Sequence, residues 1–194
     1  MEDILKKLKY SQITKKYPSY RTQNLLDSLA HAKVPGQILE FGVYRGHSIN
    51  KIADARPNDT VYGFDSFNGL PEKFMDFPAG TLDSNGICPT VLPNVKLIQG
   101  LFSDTLPLFE KDIVSFMHID CDLYSSTKCV LDNFANYIVR GTVVVFDEFF
   151  QPIHTDLPSD EYLAFTEFVE KYNKDYRIIS LGEDAIWCTM MFLN

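Results

Sequence analysis

Gln37-Ile-Leu-Glu-Phe-Gly-Val-Tyr-Arg-Gly-His-Ser48 is the stretch on which the reading of the fold turns. An apolar run closes on a carboxylate, Glu40, and two glycines follow, Gly42 and Gly46. From Ser48 the pattern becomes helical, in Ser-Ile-Asn-Lys-Ile-Ala-Asp54. Strand, glycine turn and helix in that order open a nucleotide-binding α/β sheet, whose ligand sits beyond the carboxyl end of the strand. Glycine permits the tight geometry and close approach that a Cβ would obstruct. The spacing is E-x-G-x-x-x-G, not the G-x-G-x-x-G that cradles a pyrophosphate. A nicotinamide oxidoreductase is therefore disfavoured, and a nucleoside cofactor without a pyrophosphate is expected.

The remaining chain repeats that alternation. Strands are expected at 60–65, 95–99, 113–120 and 141–147, with helices at 20–33, 46–56, 125–138 and 158–174 and a short one after Gly100. Two closing strands, 176–181 and 185–192, are joined by Gly182-Glu-Asp as a hairpin. The expected architecture is a single Rossmann-like, doubly wound α/β domain over 1–194. Its sheet has seven mostly parallel strands and an antiparallel C-terminal hairpin. Within it, 1–35 form an N-terminal helical leader, 36–150 the cofactor and metal core, and 151–194 the last helix and hairpin. Residues 66–94, rich in Pro and Gly, read as a long functional loop with at most one helical turn.

Composition narrows the partners. With 45% hydrophobic residues in 194, the chain has enough apolar surface for one substantial core. A net charge of −8 argues against nucleic acid, and no apolar run approaches a membrane span. The polar start carries no signal-peptide pattern. Cys88, Cys121, Cys129 and Cys188 lack metal or redox spacing and fit free thiols in a reducing cytoplasm.

Four expected strands end in acids: Glu40, Asp65, Asp120 and Asp147. Any one of them could be a turn or helix cap. Together, on one edge of a parallel sheet, they call for a cation between them, either a divalent metal or a positively charged cofactor. Asp65 is placed to accept the hydroxyls of a ribose, and Phe67 either covers an adenine face or packs in its loop. Asp120, Asp122, Asp147 and Glu148 supply oxygen-only ligands of the kind Mg²⁺ prefers.

Beyond these readings, Ile38-Leu-Glu-Phe-Gly-Val-Tyr-Arg-Gly-His-Ser48 resembles the cofactor loop of class I S-adenosylmethionine-dependent methyltransferases, including the catechol O-methyltransferases. Phe64-Asp-Ser-Phe-Asn-Gly-Leu-Pro71, His118-Ile-Asp-Cys-Asp-Leu-Tyr-Ser-Ser-Thr127 and Gly141-Thr-Val-Val-Val-Phe-Asp-Glu148 look more like the macrocin and mycinamicin sugar O-methyltransferases. The resemblance implies that Glu40, Gly42, Tyr44 and Ser48 surround the methionine part of the cofactor, with Gly46 and Asp120 also in the cofactor site. Asp65 would hold the ribose; Gly100, Phe102 and Ser103 would line the adenine. Asp120, Asp147 and Glu148 would hold Mg²⁺, although Glu148 stands where Asp or Asn is usual. The catalytic lysine of the catechol enzymes has no counterpart, and much of the N-terminal cover of the sugar enzymes is missing. The acceptor site would then be open, or completed by another subunit in a homo-oligomer.

The expected function is methyl transfer to a hydroxyl of a sugar or other small acceptor in secondary-metabolite or glycan biosynthesis, with Mg²⁺ assisting. Asp120, Asp122 and His154 are the catalytic candidates, Asp122 and His154 as bases. His118 reads as a core residue and His47 as part of a helix start; Arg45 meets the ligands or forms a surface ion pair. The rivals are a metal-independent methyltransferase of the same fold and a non-catalytic S-adenosylmethionine-binding protein.

Overall fold

The computed structural model describes residues 15–17, 21–149, 160–182 and 187–194. In chain order the elements are β1 (Lys15–Tyr17), α1 (Arg21–His31), β2 (Gln37–Phe41), α2 (His47–Ala55), β3 (Val61–Asp65) and β4 (Val95–Gln99). A short α3 (Phe102–Thr105) runs into a 3₁₀ turn, Leu106–Leu108. Then come β5 (Val114–Ile119), α4 (Tyr124–Phe134), β6 (Val143–Phe146), α5 (Asp160–Lys171), β7 (Tyr176–Gly182) and β8 (Cys188–Phe192). No described helix is long and apolar enough to cross a membrane.

All these strands join one sheet in the order β1-β7-β8-β6-β5-β2-β3-β4, and only β8 runs against its neighbours. The seven expected strands are therefore present. The eighth, β1, corrects the helical leader: Lys15–Tyr17 pairs in parallel with Ser180–Gly182 of β7 and extends the sheet edge. Residues 66–94 hold no helical turn, within the reading of a long loop with at most one. That segment instead holds itself by short contacts, such as Leu70 N–H to the Thr81 carbonyl at 2.9 Å and the bridge between Asn68 and Asp83.

From β2 the chain winds outward through β3 to β4, then returns to β5 on the other flank of β2. This is a topological switch point, where an open α/β sheet leaves a crevice at its strand ends. Register decides which side chains share a face of the sheet. Glu40, His118 and Val145 are cross-strand neighbours, as are Phe41, Ile119 and Phe146 one residue on. Because strand side chains alternate, these two rows face opposite ways. Ile38, Phe116 and Val145 pack with Leu25 and Leu29 of α1 and Ile49 and Ile52 of α2. Phe41, Ile119 and Phe146 pack with Val130 and Phe134 of α4 and Phe165 and Phe168 of α5. Arg56 closes α1 by donating from Nη2 to the Leu29 and Ala32 carbonyls at 2.8 and 3.0 Å, which satisfies acceptors that a helix end leaves open.

Candidate functional site

Two cavities meet at the switch point. The larger, about 520 Å³, is lined by Gly42, Val43, Tyr44, Asp65, Gly100–Ser103, Asp120, Asp122 and Glu148 among others. The smaller, about 380 Å³, lies between the starts of α1 and α2 and the ends of β5 and β6. Its walls include Asn24, His47, Ser48, Lys51, His118 and Asp147. Asp120 lines both.

The glycine loop is held from below. Asp65 accepts from the backbone N–H of Val43 (2.8 Å) and Tyr44 (2.7 Å) at one oxygen and of Phe67 (2.8 Å) at the other. Tyr44 is thereby kept at φ 47°, a left-handed conformation uncommon outside glycine. Gly42 has φ 90°, and a Cβ there would lie 1.8 Å from the Asp120 carbonyl oxygen. No other residue fits that crossing of β2 and β5. Asp122 also has a positive φ, 62°, at the edge of the larger cavity; backbone held this way recurs where side chains are aimed for function.

The expected cofactor set divides. Gly42, Tyr44, Asp65, Gly100, Phe102, Ser103 and Asp120 all line the larger cavity. Ser48 lines the smaller, and Gly46 is the left-handed cap of α2, facing Pro89. Glu40 and Phe67 line neither cavity. Phe67, 1% exposed, packs with Val43 and Ile49 in the core, so of its two readings the structure realises loop packing. Glu40 is fully buried, and its Oε1 lies 2.7 Å from His118 Nδ1.

Two of the expected acids, Asp120 and Asp147, come together with a histidine. His118, Asp120 and Asp147 each bring a ligand-type atom within 4.8 Å of the others. Glu148, the expected third ligand, is outside this trio. It follows Asp147 in the chain, lines the larger cavity, and its N–H donates to Glu161 Oε2 at 3.1 Å. His154 lies outside the described residues. Sequence reasoning missed Glu161, a fully buried acid in the first turn of α5, where an acidic residue is ordinary helix-start chemistry. The Glu40 Oε2 and Glu161 Oε1 atoms are buried with no hydrogen-bond partner among the described residues.

Burial and crowding shift the protonation of this group. Burial pulls His118 down, but the Glu40 hydrogen bond and the charges of Glu40, Asp120 and Asp147 outweigh it and push the ring up to about 9. Burial first and then Asp147 raise Asp120; burial, then Asp120 and Asp147, raise Glu161. All three shifts have one sign for stability. A raised histidine contributes fully below its ordinary value of 6.5 and loses that contribution as pH climbs through about 9. Raised acids likewise lose stability as they are forced to ionise. The metal-free protein should therefore melt progressively lower between pH 6.5 and 9, with His118 alone accounting for about 3 kcal/mol. Melting curves across that range test this, and a flat or rising profile contradicts it. Glu161→Gln keeps an acceptor for the Glu148 N–H and should flatten the profile.

Comparison with known proteins places the chain in a family setting. Residues 39–149 match the family described as "methyltransferase domain". Demethyldecarbamoylnovobiocin O-methyltransferase of Streptomyces niveus is 27% identical over 179 residues, covering 79% of this chain and 66% of that protein. The 8-demethyl-8-(2,3-dimethoxy-alpha-L-rhamnosyl)-tetracenomycin-C 4'-O-methyltransferase of Streptomyces olivaceus is 31% identical over 140 residues, 60% of this chain and 54% of that protein. The chain thus spans under two thirds of the length of each. Among solved structures, the O-methyltransferase NovP aligns with a TM-score of 0.68 at 23% identity, over 90% of this chain and 80% of NovP, which is a likeness of fold.

Proposed function

Since the chain belongs to the methyltransferase domain family, we propose that it moves a methyl group from S-adenosylmethionine to a hydroxyl of a sugar or similar small acceptor in secondary metabolism. The oxygen acceptor is supported by the names of both curated relatives, and a sugar by the rhamnosyl group in one of them. The observation that carries the reading is Asp120, which walls both cavities at the switch point while Asp65 grips the glycine loop.

Transfer from a sulfonium is an in-line displacement, so the chief task of the site is to hold methyl and oxygen in line. One lone pair of Asp65 Oδ1 remains for a ribose hydroxyl, and Gly100, Phe102 and Ser103 line the space for the base. Asp120, which lines both cavities, would stand beside the bound sulfonium. Asp122, held in its left-handed turn at the cavity wall, is the base that takes the acceptor proton.

Asp120 and Asp147 fit a hard cation: two carboxylates from adjacent strands whose ligand atoms lie within 4.8 Å, with a cavity beside them for water and substrate oxygens. Mg²⁺ bound there would lower the pKa of an acceptor hydroxyl and orient it. A second reading, transfer without metal, is favoured by the same trio. A protonated His118 already sets a positive charge among Glu40, Asp120 and Asp147. The four free cysteines suit a cytoplasmic setting under either reading.

The test is turnover of S-adenosylmethionine to S-adenosylhomocysteine against a panel of hydroxylated sugars and glycosides, with Mg²⁺ and with chelator. Loss of turnover on chelation supports the metal reading, and undiminished turnover the second. No turnover with any acceptor in either condition removes both. Asp147→Asn is expected to lower kcat by about 10²–10³-fold while cofactor affinity stays within a few-fold.

A further inference from the structure

We propose that His118, oriented by Glu40, is a third ligand to the metal ion at Asp120 and Asp147, and that the site therefore selects a divalent transition ion over Mg²⁺. This rests on the metal reading above and adds a residue that the acids at the strand ends do not mark.

Register creates the arrangement. Glu40 of β2 and His118 of β5 are paired across the sheet. Glu40 is fully buried, and its Oε1 lies 2.7 Å from His118 Nδ1. That contact fixes the plane of the ring and occupies one of its nitrogens. His118 is only 3% exposed, yet it walls the smaller cavity together with Asp120 and Asp147. Its Nε2 has no hydrogen-bond partner among the described residues. Buried polar groups are otherwise paired, so an unspent ring nitrogen beside a cavity is oriented for a ligand.

The neighbours identify that ligand as an ion. The ring and the two carboxylates bring one ligand atom each within 4.8 Å of one another, close enough to share a single centre. A carboxylate behind the imidazole is the recurring device that fixes a metal-bound histidine and raises its basicity, and Glu40 occupies that place. The donor set then decides which metal. Mg²⁺ takes oxygen ligands and keeps its waters, whereas imidazole suits transition ions. One nitrogen with two carboxylates belongs to the second group. Because imidazole ligates only when neutral, the arriving ion releases the ring's proton to solvent.

The probe is Mn²⁺ added to the full chain without cofactor. The paramagnetic resonance spectrum of the bound ion should carry the nitrogen coupling of a directly bound imidazole. In calorimetric competition Mn²⁺ should bind at least about 10-fold more tightly than Mg²⁺. Asp147→Asn should weaken both ions and so locate the binding. His118→Gln should erase the coupling and weaken Mn²⁺ by about 10–100-fold, with Mg²⁺ changed only a few-fold. Glu40→Gln should keep the coupling and weaken Mn²⁺ by about 10-fold. Should the buried variants fail to fold, the wild-type spectrum and competition still decide. Mn²⁺ held at Asp147 without nitrogen coupling, or with no preference over Mg²⁺, overturns the inference and leaves the metal reading standing. A coupling that persists in His118→Gln overturns it as well. If neither ion binds, the metal reading falls too, while binding of S-adenosylhomocysteine tests the methyltransferase reading separately.

Discussion

Gly42→Ala is expected to abolish cofactor binding and to cost several kcal/mol of stability. The backbone there has φ 90°, which strains any side chain, at about 1–3 kcal/mol for such conformations. The larger effect is steric. The new Cβ would sit 1.8 Å from the Asp120 carbonyl oxygen and 2.7 Å from its carbon, and both are backbone. Nothing flexible can yield. Gly42 N–H donates to the Phe64 carbonyl at 3.0 Å and Asp120 N–H to the Phe41 carbonyl at 2.9 Å, so relief means parting β2 from β3 or from β5. That movement displaces Asp120, which walls both cavities. A fall in melting temperature of about 10 °C and a loss of S-adenosylhomocysteine affinity beyond about 100-fold are expected. A variant that melts and binds like wild type would mean that the crossing of β2 and β5 is looser than described.

Asp65→Ala is the second large effect, and it acts in two ways. The carboxylate accepts three backbone N–H groups, from Val43, Tyr44 and Phe67. Hydrogen bonds to a charged group contribute about 1.5–3 kcal/mol each when buried, and less here because Asp65 is only partly buried. Removing them releases the glycine loop and leaves three amides to water. The ribose contact is lost as well. Affinity for S-adenosylhomocysteine should drop by at least about 100-fold, with a smaller cost in stability than Gly42→Ala. Asp65→Asn separates the two roles: it retains one oxygen as acceptor, so it should fold nearly as wild type and still bind weakly. Calorimetry alongside melting curves reads both, and an unchanged dissociation constant for Asp65→Ala removes Asp65 from the ribose.

These two residues illustrate how far the chain could be read unaided. Glycine beyond a strand and an acid at the end of the next are local chemistry, and both stand at the switch point as expected. Asp120 and Asp147 were equally legible, because each closes an apolar strand run and parallel neighbours bring such ends together. Phe67 was not. An aromatic beside a binding acid looks the same in sequence whether it faces ligand or core, and only the packing of Val43 and Ile49 drew it inward. Glu148 and Asp147 are set apart for a related reason. Adjacency in the chain suggested a shared task with Asp147, whereas the structure sets Asp147 among the acids by the smaller cavity and Glu148 on the larger. His118 and Glu40 became partners through the pairing of β2 with β5, a register that no local pattern encodes.

Glu161 lay further out of reach. It is a polar residue inside a helix whose apolar periodicity carries the reading, and it acquires meaning from neighbouring strand ends. By itself, then, the order of residues determined the alternation of strands and helices, the doubly wound sheet, and the acids along its carboxyl edge, because these follow from short-range periodicity and turn chemistry. Only the tertiary structure decided which of those acids share a face, which aromatic is core, and which buried histidine is left facing a cavity. Those outcomes depend on register and on helix packing, which join distant segments and leave no mark at either one alone.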